Sequence, residues 1–85
     1  MDKAQLAEAG ARKAAQSGQE ILPEDAERVI DALFGTVDSA GVIAEGLKDG
    51  ETVAVGSFGR FRADGGSAVF EPGRALTEYL HGDTR

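Results

Sequence analysis

Histidine occurs once in this chain, at His81, and cysteine does not occur at all. That removes most of the side chains that serve as nucleophile, general base or metal ligand. His81 falls on the last turn of a short C-terminal helical pattern, where an imidazole is favoured by solvent and by the helix dipole. The carboxylates lie mostly on polar helix faces, and no pair is singled out for acid–base work. Gly56-x-x-Gly59 sits between strand patterns rather than ahead of a helix, so it is not a phosphate loop of the P-loop or dinucleotide type. No enzymatic chemistry, cofactor or metal site is expected. What remains is positive charge in a particular place. Arg60 and Arg62 stand two apart and Arg74 follows, residue types suited to holding phosphate oxygens. The competing reading is that two arginines on a strand merely blunt a sheet against edge pairing.

The element that must position these arginines is a hairpin. Phe58 and Phe61 bracket Gly59-Arg60, and the alternation that follows puts Phe61 and Ala63 on one strand face and Arg60, Arg62 and Asp64 on the other. Asp64-Gly65-Gly66-Ser67 is a tight-turn signal, because glycine supplies the positive φ that hairpin turns need. A return strand from Ser67 to Glu71 runs into Pro72-Gly73, and proline's fixed φ suits the beginning of a helix at Arg74. The backbone N–H groups of that helix start are a further expected phosphate contact.

These residues resemble a known family. Val53-Ala54-Val55-Gly56-Ser57-Phe58-Gly59-Arg60-Phe61 is similar to the "strand, Gly-Phe-Gly-x-Phe, strand" signature of the HU/IHF bacterial histone-like DNA-binding proteins. Phe70-Glu71-Pro72-Gly73-Arg74-Ala75-Leu76 resembles their "Phe-Lys-Pro-Gly-Lys-Ala-Leu" segment leading into the last helix. Met1-Asp2-Lys3-x-x-Leu6 and Ala26-Glu27-Arg28-Val29-Ile30-Asp31-Ala32-Leu33 resemble the starts of the first two helices. The resemblance spans nearly the whole chain in order. It implies an α+β fold with two N-terminal helices, a small antiparallel sheet and a short C-terminal helix, intertwined as a homodimer. It also implies contact with double-stranded DNA at the nucleoid, through Arg74 and, more loosely, Lys3 and Lys48, beside the strand-face pair Arg60 and Arg62. With so few phosphate-directed side chains, offset locally by Asp64 and Glu71, that contact is expected to be weak and sequence-non-specific.

Three departures set the chain apart from that pattern. The long basic β-arm with a proline at its tip is replaced by the four-residue turn 64–67. The first lysine of Phe-Lys-Pro-Gly-Lys is Glu71, a charge reversal that repels phosphate and offsets the neighbouring arginines, as Asp64 also does. The second helix is longer and is interrupted by Gly35 and Gly41. Without a wedge, and with Pro23 and Pro72 both at helix starts, the usual route to a sharply kinked duplex is closed. A second function therefore stands beside the first: an HU-fold module for protein interaction, pairing with an HU-family relative or offering its acidic helices to a basic protein.

Charge bears on both readings. The net charge is −6. Residues 1–51 carry five basic and eleven acidic side chains, and residues 52–85 carry four of each, so all the excess acidity lies in the helical part. A solvated, solubilising surface accounts for it; a docking surface for a basic partner is the sharper alternative. The 85 residues make one domain, divided as a helical dimerisation part (1–50), a sheet (51–71) and a C-terminal helix (72–82). A chain this small, without disulfides, commonly completes its core by oligomerising. Leu33, Phe34, Val37, Phe58, Phe61 and Phe70 are the expected dimer interface. No apolar run is long enough to span a bilayer and residues 1–20 have no signal-peptide core, so a cytoplasmic location is expected.

The helices follow from local signals. Asp2 caps the first, with Gln5 completing a capping box, and Leu6, Ala9, Gly10 and Ala14 form a thin apolar face. Pro23, Glu24 and Asp25 start the second, whose stripe is Ala26, Val29, Ile30, Leu33, Phe34 and Val37. A break is expected within 36–41, with Asp38 or Ser39 capping a second piece that carries Val42, Ile43, Ala44 and Leu47. Gly50 closes it. Val53 and Val55 form the first strand's inward face. The last helix, Arg74 to Leu80, ends at Gly82, and 83–85 form a frayed tail.

Overall fold

The computed structural model describes residues 1–82; the tail expected at 83–85 lies outside them. The described residues form four helices and three strands, in the order α1 (Lys3–Gln16), α2 (Pro23–Phe34), α3 (Val42–Lys48), β1 (Val53–Val55), β2 (Gly59–Asp64), β3 (Ser67–Pro72) and α4 (Arg74–Leu80). It is an α+β chain with one antiparallel sheet of order β1-β2-β3. Two compact units divide it, Met1–Val42 and Ile43–Arg85. Among the described residues, no helix is long and apolar enough to cross a membrane.

In the first unit, α1 opens with the expected capping box: the Asp2 carboxylate accepts from the Gln5 N–H at 2.8 Å, and the Gln5 side chain accepts from the Asp2 N–H at 2.9 Å. Such caps contribute about 0.5–2 kcal/mol each. The buried face of α1 is not the expected one. Ala7 and Ala11 are its buried residues, while Leu6 and Gly10 are exposed and Ala9 and Ala14 half-buried. Alanine, with almost no side chain, lets α1 and α2 approach closely along that line; Leu6 and Gly10 border an open apolar groove with Ile21, Val29 and Ile30.

Helix α2 stops at Gly35, which takes φ +82°. The chain then makes a small closed loop: Gly35 bridges Ala40, and Thr36 and Ser39 exchange backbone hydrogen bonds of 2.8 and 3.3 Å. The break falls where the sequence places it. The capping differs, because α3 begins at Val42 and Gly41, not Asp38 or Ser39, directly precedes its first residue. Val37, at the loop, is fully exposed.

In the second unit, β2 and β3 pair from Gly59↔Pro72 to Asp64↔Ser67, one residue beyond the expected end of the return strand. Gly65 and Gly66 alone make the turn, at φ +59° and +87°, the positive values a two-residue hairpin connection needs. Phe61 stands opposite Phe70, with ring centroids 5.0 Å apart, and the Phe58 ring centroid lies 5.6 Å from that of Phe70. Tilted pairs of this kind contribute about 0.5–1.5 kcal/mol beyond their burial. A Cβ on Gly59 would come within 2.5 Å of the Phe70 ring, so the glycine of the Phe-Gly-x-Phe pattern makes room for a cross-strand aromatic. The turn at 56–58 is tied to the start of α4, where Gly73 N–H donates to the Phe58 carbonyl at 2.8 Å and Ala75 N–H to that of Ser57 at 3.0 Å.

Candidate nucleic-acid interface

The pairing register fixes what the outer face of the hairpin carries. Arg60 lies directly opposite Glu71, Arg62 opposite Val69 and Asp64 opposite Ser67. Strand alternation puts all six on the face away from Phe61, Phe70, Ala63 and Ala68. The two arginines expected to meet phosphate therefore stand side by side on one strand surface, as their spacing implies.

They do not stand free. Arg60 Nε donates to Glu71 Oε1 at 2.5 Å, and Arg62 Nε lies 3.2 Å from Glu71 Oε2. One carboxylate thus holds both guanidiniums, one on each oxygen. Arg62 also has Asp64 at 3.9 Å, a looser contact. The four charges of this face cancel. The Glu71 carboxyl is held below the ordinary carboxylate range, first by the hydrogen bond from Arg60 and then by that from Arg62, so it is ionised at neutral pH.

The remaining expected contacts are distributed unevenly. Arg74 projects from the start of α4 and pairs with Glu78 one turn on. Two N–H groups around that helix start, of Gly73 and Ala75, are already engaged by Phe58 and Ser57, so they are not open phosphate donors. Lys48, at the end of α3, is exposed and forms no ion pair among the described residues. Lys3 belongs to the first unit, where it donates to Asp31 at 2.6 Å and has Glu27 at 3.8 Å. The Asp31 hydrogen bond is the main reason the Lys3 ammonium is raised above the ordinary lysine range. Among the described residues, Lys3, Arg60, Arg62 and Arg74 each have a carboxylate partner and Lys48 has none.

Sequence reasoning marked Glu71 and Asp64 as offsets, but not that Glu71 would bind both arginines at once. The signal was available in the register: with a two-residue turn at 65–66, counting back pairs 60 with 71, and 62 falls on the adjacent diagonal. Arg74 with Glu78 is readable as an i,i+4 pair. The Lys3–Asp31 bond joins residues 28 apart and has no local signature. Beside the Arg60–Glu71 pair lies a shallow concavity of about 320 Å³, walled chiefly by Ala54, Gly56, Gly59, Pro72 and Gly73. It has no nucleophile or metal-binding set. Among the described residues, no cluster of histidine, cysteine or carboxylate side chains could hold a metal ion.

The aromatic and aliphatic residues expected to form a dimer interface are mostly uncovered. Leu33, Phe34, Val37, Phe58 and Phe70 are exposed and Phe61 is half-buried.

Comparison with solved structures finds this architecture in an HU mutant from Thermotoga maritima. The TM-score is 0.70 and the sequence identity 27%, and the match covers 94% of this chain and 99% of that one. No known family profile and no curated protein matches the sequence.

Proposed function

We propose that this chain, which has the HU/IHF-like fold, is an armless DNA-binding protein that makes weak, sequence-non-specific phosphate contacts as a homodimer at the nucleoid. The observation that carries this reading is the outward pair Arg60 and Arg62 on β2, beside a hairpin that ends at Gly65-Gly66. In a two-fold dimer the pair becomes four guanidiniums. Arg74 and, more loosely, Lys3 and Lys48 are the further cations that match basic positions of the family.

Dimerisation is supported by how little one chain buries. Among the described residues, Ala7, Ala11 and Ile43 are the only buried hydrophobic ones, while fourteen large ones are exposed. At roughly 25 cal/mol per Å² of apolar surface removed from water, so small a core stabilises poorly by itself. A second copy covering Leu33, Phe34, Val37, Phe58, Phe61 and Phe70 supplies the missing burial.

Weak binding follows from the charge count. Affinity for duplex DNA depends on the number of phosphates neutralised, with a salt slope of about −0.9 per contact. The arginines here begin from ion pairs rather than from water, and the chain is net acidic. No residue at the turn can wedge between base pairs, so the duplex is expected to stay unkinked.

The test is an electrophoretic-shift titration with duplexes of several sequences at low and moderate salt. Binding should be equal across sequences and fall as salt rises, and replacing Arg60 and Arg62 together by alanine should weaken it for every duplex alike. A double variant that binds as well as the parent refutes the assignment. The pairing of Lys3, Arg60, Arg62 and Arg74 with carboxylates favours the second reading, a protein-interaction module for an HU-family relative or a basic protein. Under it neither parent nor variant shifts DNA.

A further inference from the structure

We propose that Glu71 is an internal counter-ion seated in the anion position of Arg60 and Arg62, and that a polyanion reaches this face only by displacing its carboxylate. The inference rests on the DNA-binding reading and adds its regulation. Three observations carry it. Glu71 uses a different oxygen for each guanidinium, at 2.5 and 3.2 Å, which is the arrangement a bridging phosphate would adopt between the same two side chains. It comes from β3, opposite Arg60 and diagonal to Arg62, so the strand register holds it there without a flexible loop. The small walls of Ala54, Gly56, Gly59 and Gly73 beside the pair leave the Arg60 guanidinium approachable from solvent.

The exchange is energetically open in both directions. The Arg60 and Glu71 side chains are 59% and 36% exposed, and exposed ion pairs hold weakly because water and salt compete with them. A single dissolved anion meets a tethered carboxylate that is always present at the site, and loses. A duplex presents about one phosphate per 1.7 Å of axis, so it offers both arginines partners at once. Glu71 therefore makes the face selective for dense polyanions over isolated ones. It also flattens the salt dependence. Each carboxylate set free attracts a cation from solution, which offsets part of the cation release that drives binding.

The experiment compares the full chain, Glu71→Gln and Arg60→Ala/Arg62→Ala in duplex titrations over a range of salt. Glutamine keeps the size of the side chain and removes its charge. Glu71→Gln should bind several-fold tighter than the parent, with a slope steeper by about 0.9 for each phosphate newly engaged. A Glu71→Gln protein that binds while the parent does not also supports displacement, as the closed limit of the same gate. If Glu71→Gln matches the parent in affinity and slope while the double arginine variant loses binding, the counter-ion role is overturned and the DNA reading stands. If the double arginine variant binds normally, or if no variant binds even at low salt, both fall. A measurement on the unmodified chain covers the case in which Glu71→Gln does not fold. The Glu71 side-chain carboxyl carbon resonance should shift when a short duplex is added, and a resonance that stays fixed at saturating duplex overturns the proposal.

Discussion

Gly41→Ala is the change whose cost the structure defines best. A Cβ at position 41 would lie 2.6 Å from both the Leu33 carbonyl oxygen and the Phe34 carbonyl carbon, and closer still to the Gly35 nitrogen. All three are backbone atoms at the end of α2, so no side chain can swing away to make room. Relief requires the loop to open by about 1 Å, at an overpacking cost of about 1–3 kcal/mol. Opening also weakens the Thr36–Ser39 exchange, whose better bond is 2.8 Å, at about 0.5–1.5 kcal/mol per hydrogen bond. The total is about 1.5–4.5 kcal/mol, or about 6–36 °C in Tm at 4–8 °C per kcal/mol for a domain of this size. Urea and thermal unfolding should be run at one fixed protein concentration, because subunit association makes apparent stability depend on it. The sign is the decisive readout. Were the 35–41 segment an open loop, alanine at 41 would be neutral or stabilising by up to about 1 kcal/mol through lower unfolded-state entropy. A Gly41→Ala protein within about 0.5 kcal/mol of the parent refutes the closed loop.

Gly10→Ala is the contrasting case: nothing lies within 4 Å of the added Cβ, so helix propensity should raise stability by about 0.5–1 kcal/mol in the same urea assay. A loss instead would mean that a second copy fills the Gly10 groove. Sedimentation at micromolar concentration should give twice the chain mass, and a stably folded monomer there refutes the dimer. Glu71's carboxyl is lowered in the folded chain, so its pairing contributes stability that is present above the ordinary carboxylate range and lost as pH falls through the lowered value. Acid unfolding of Glu71→Gln should accordingly be flatter than the parent's below that range. Lys3 is raised, so its pair with Asp31 contributes below the ordinary lysine range and is lost as pH climbs through the raised value. Asp31→Asn should flatten the alkaline arm of the stability curve, and an unchanged arm would show that the pair contributes nothing.

Much of the architecture was legible because its signals are local. Asp2 with Gln5 marks the start of α1, and Pro23 marks that of α2. Gly65-Gly66 fixes a two-residue turn and, through it, the whole β2–β3 register. The period of two then separates Arg60 and Arg62 from Phe61, and Pro72-Gly73 announces α4. Each of these depends on backbone conformation within a few residues, which side-chain type controls directly. The interruption of the second helix was legible for the same reason, since Gly35 ends a helix wherever it takes positive φ.

Tertiary structure decided what local rules leave open. Which line of α1 is buried depends on how closely α2 approaches, and the pairing of Ala7 and Ala11 with it won over the larger but peripheral Leu6. The Gly35–Gly41 contact, the fit of the Phe70 ring over Gly59 and the 28-residue reach of Lys3 to Asp31 are close approaches between segments, set by packing rather than by propensity. The state of the candidate site belongs here too. The sequence determined that arginines would stand on the outer face of a hairpin and that a carboxylate would stand near them. Only the folded chain put one carboxylate within 3.2 Å of both guanidiniums, because cross-strand charges at that range, unlike charges merely near in sequence, neutralise each other directly.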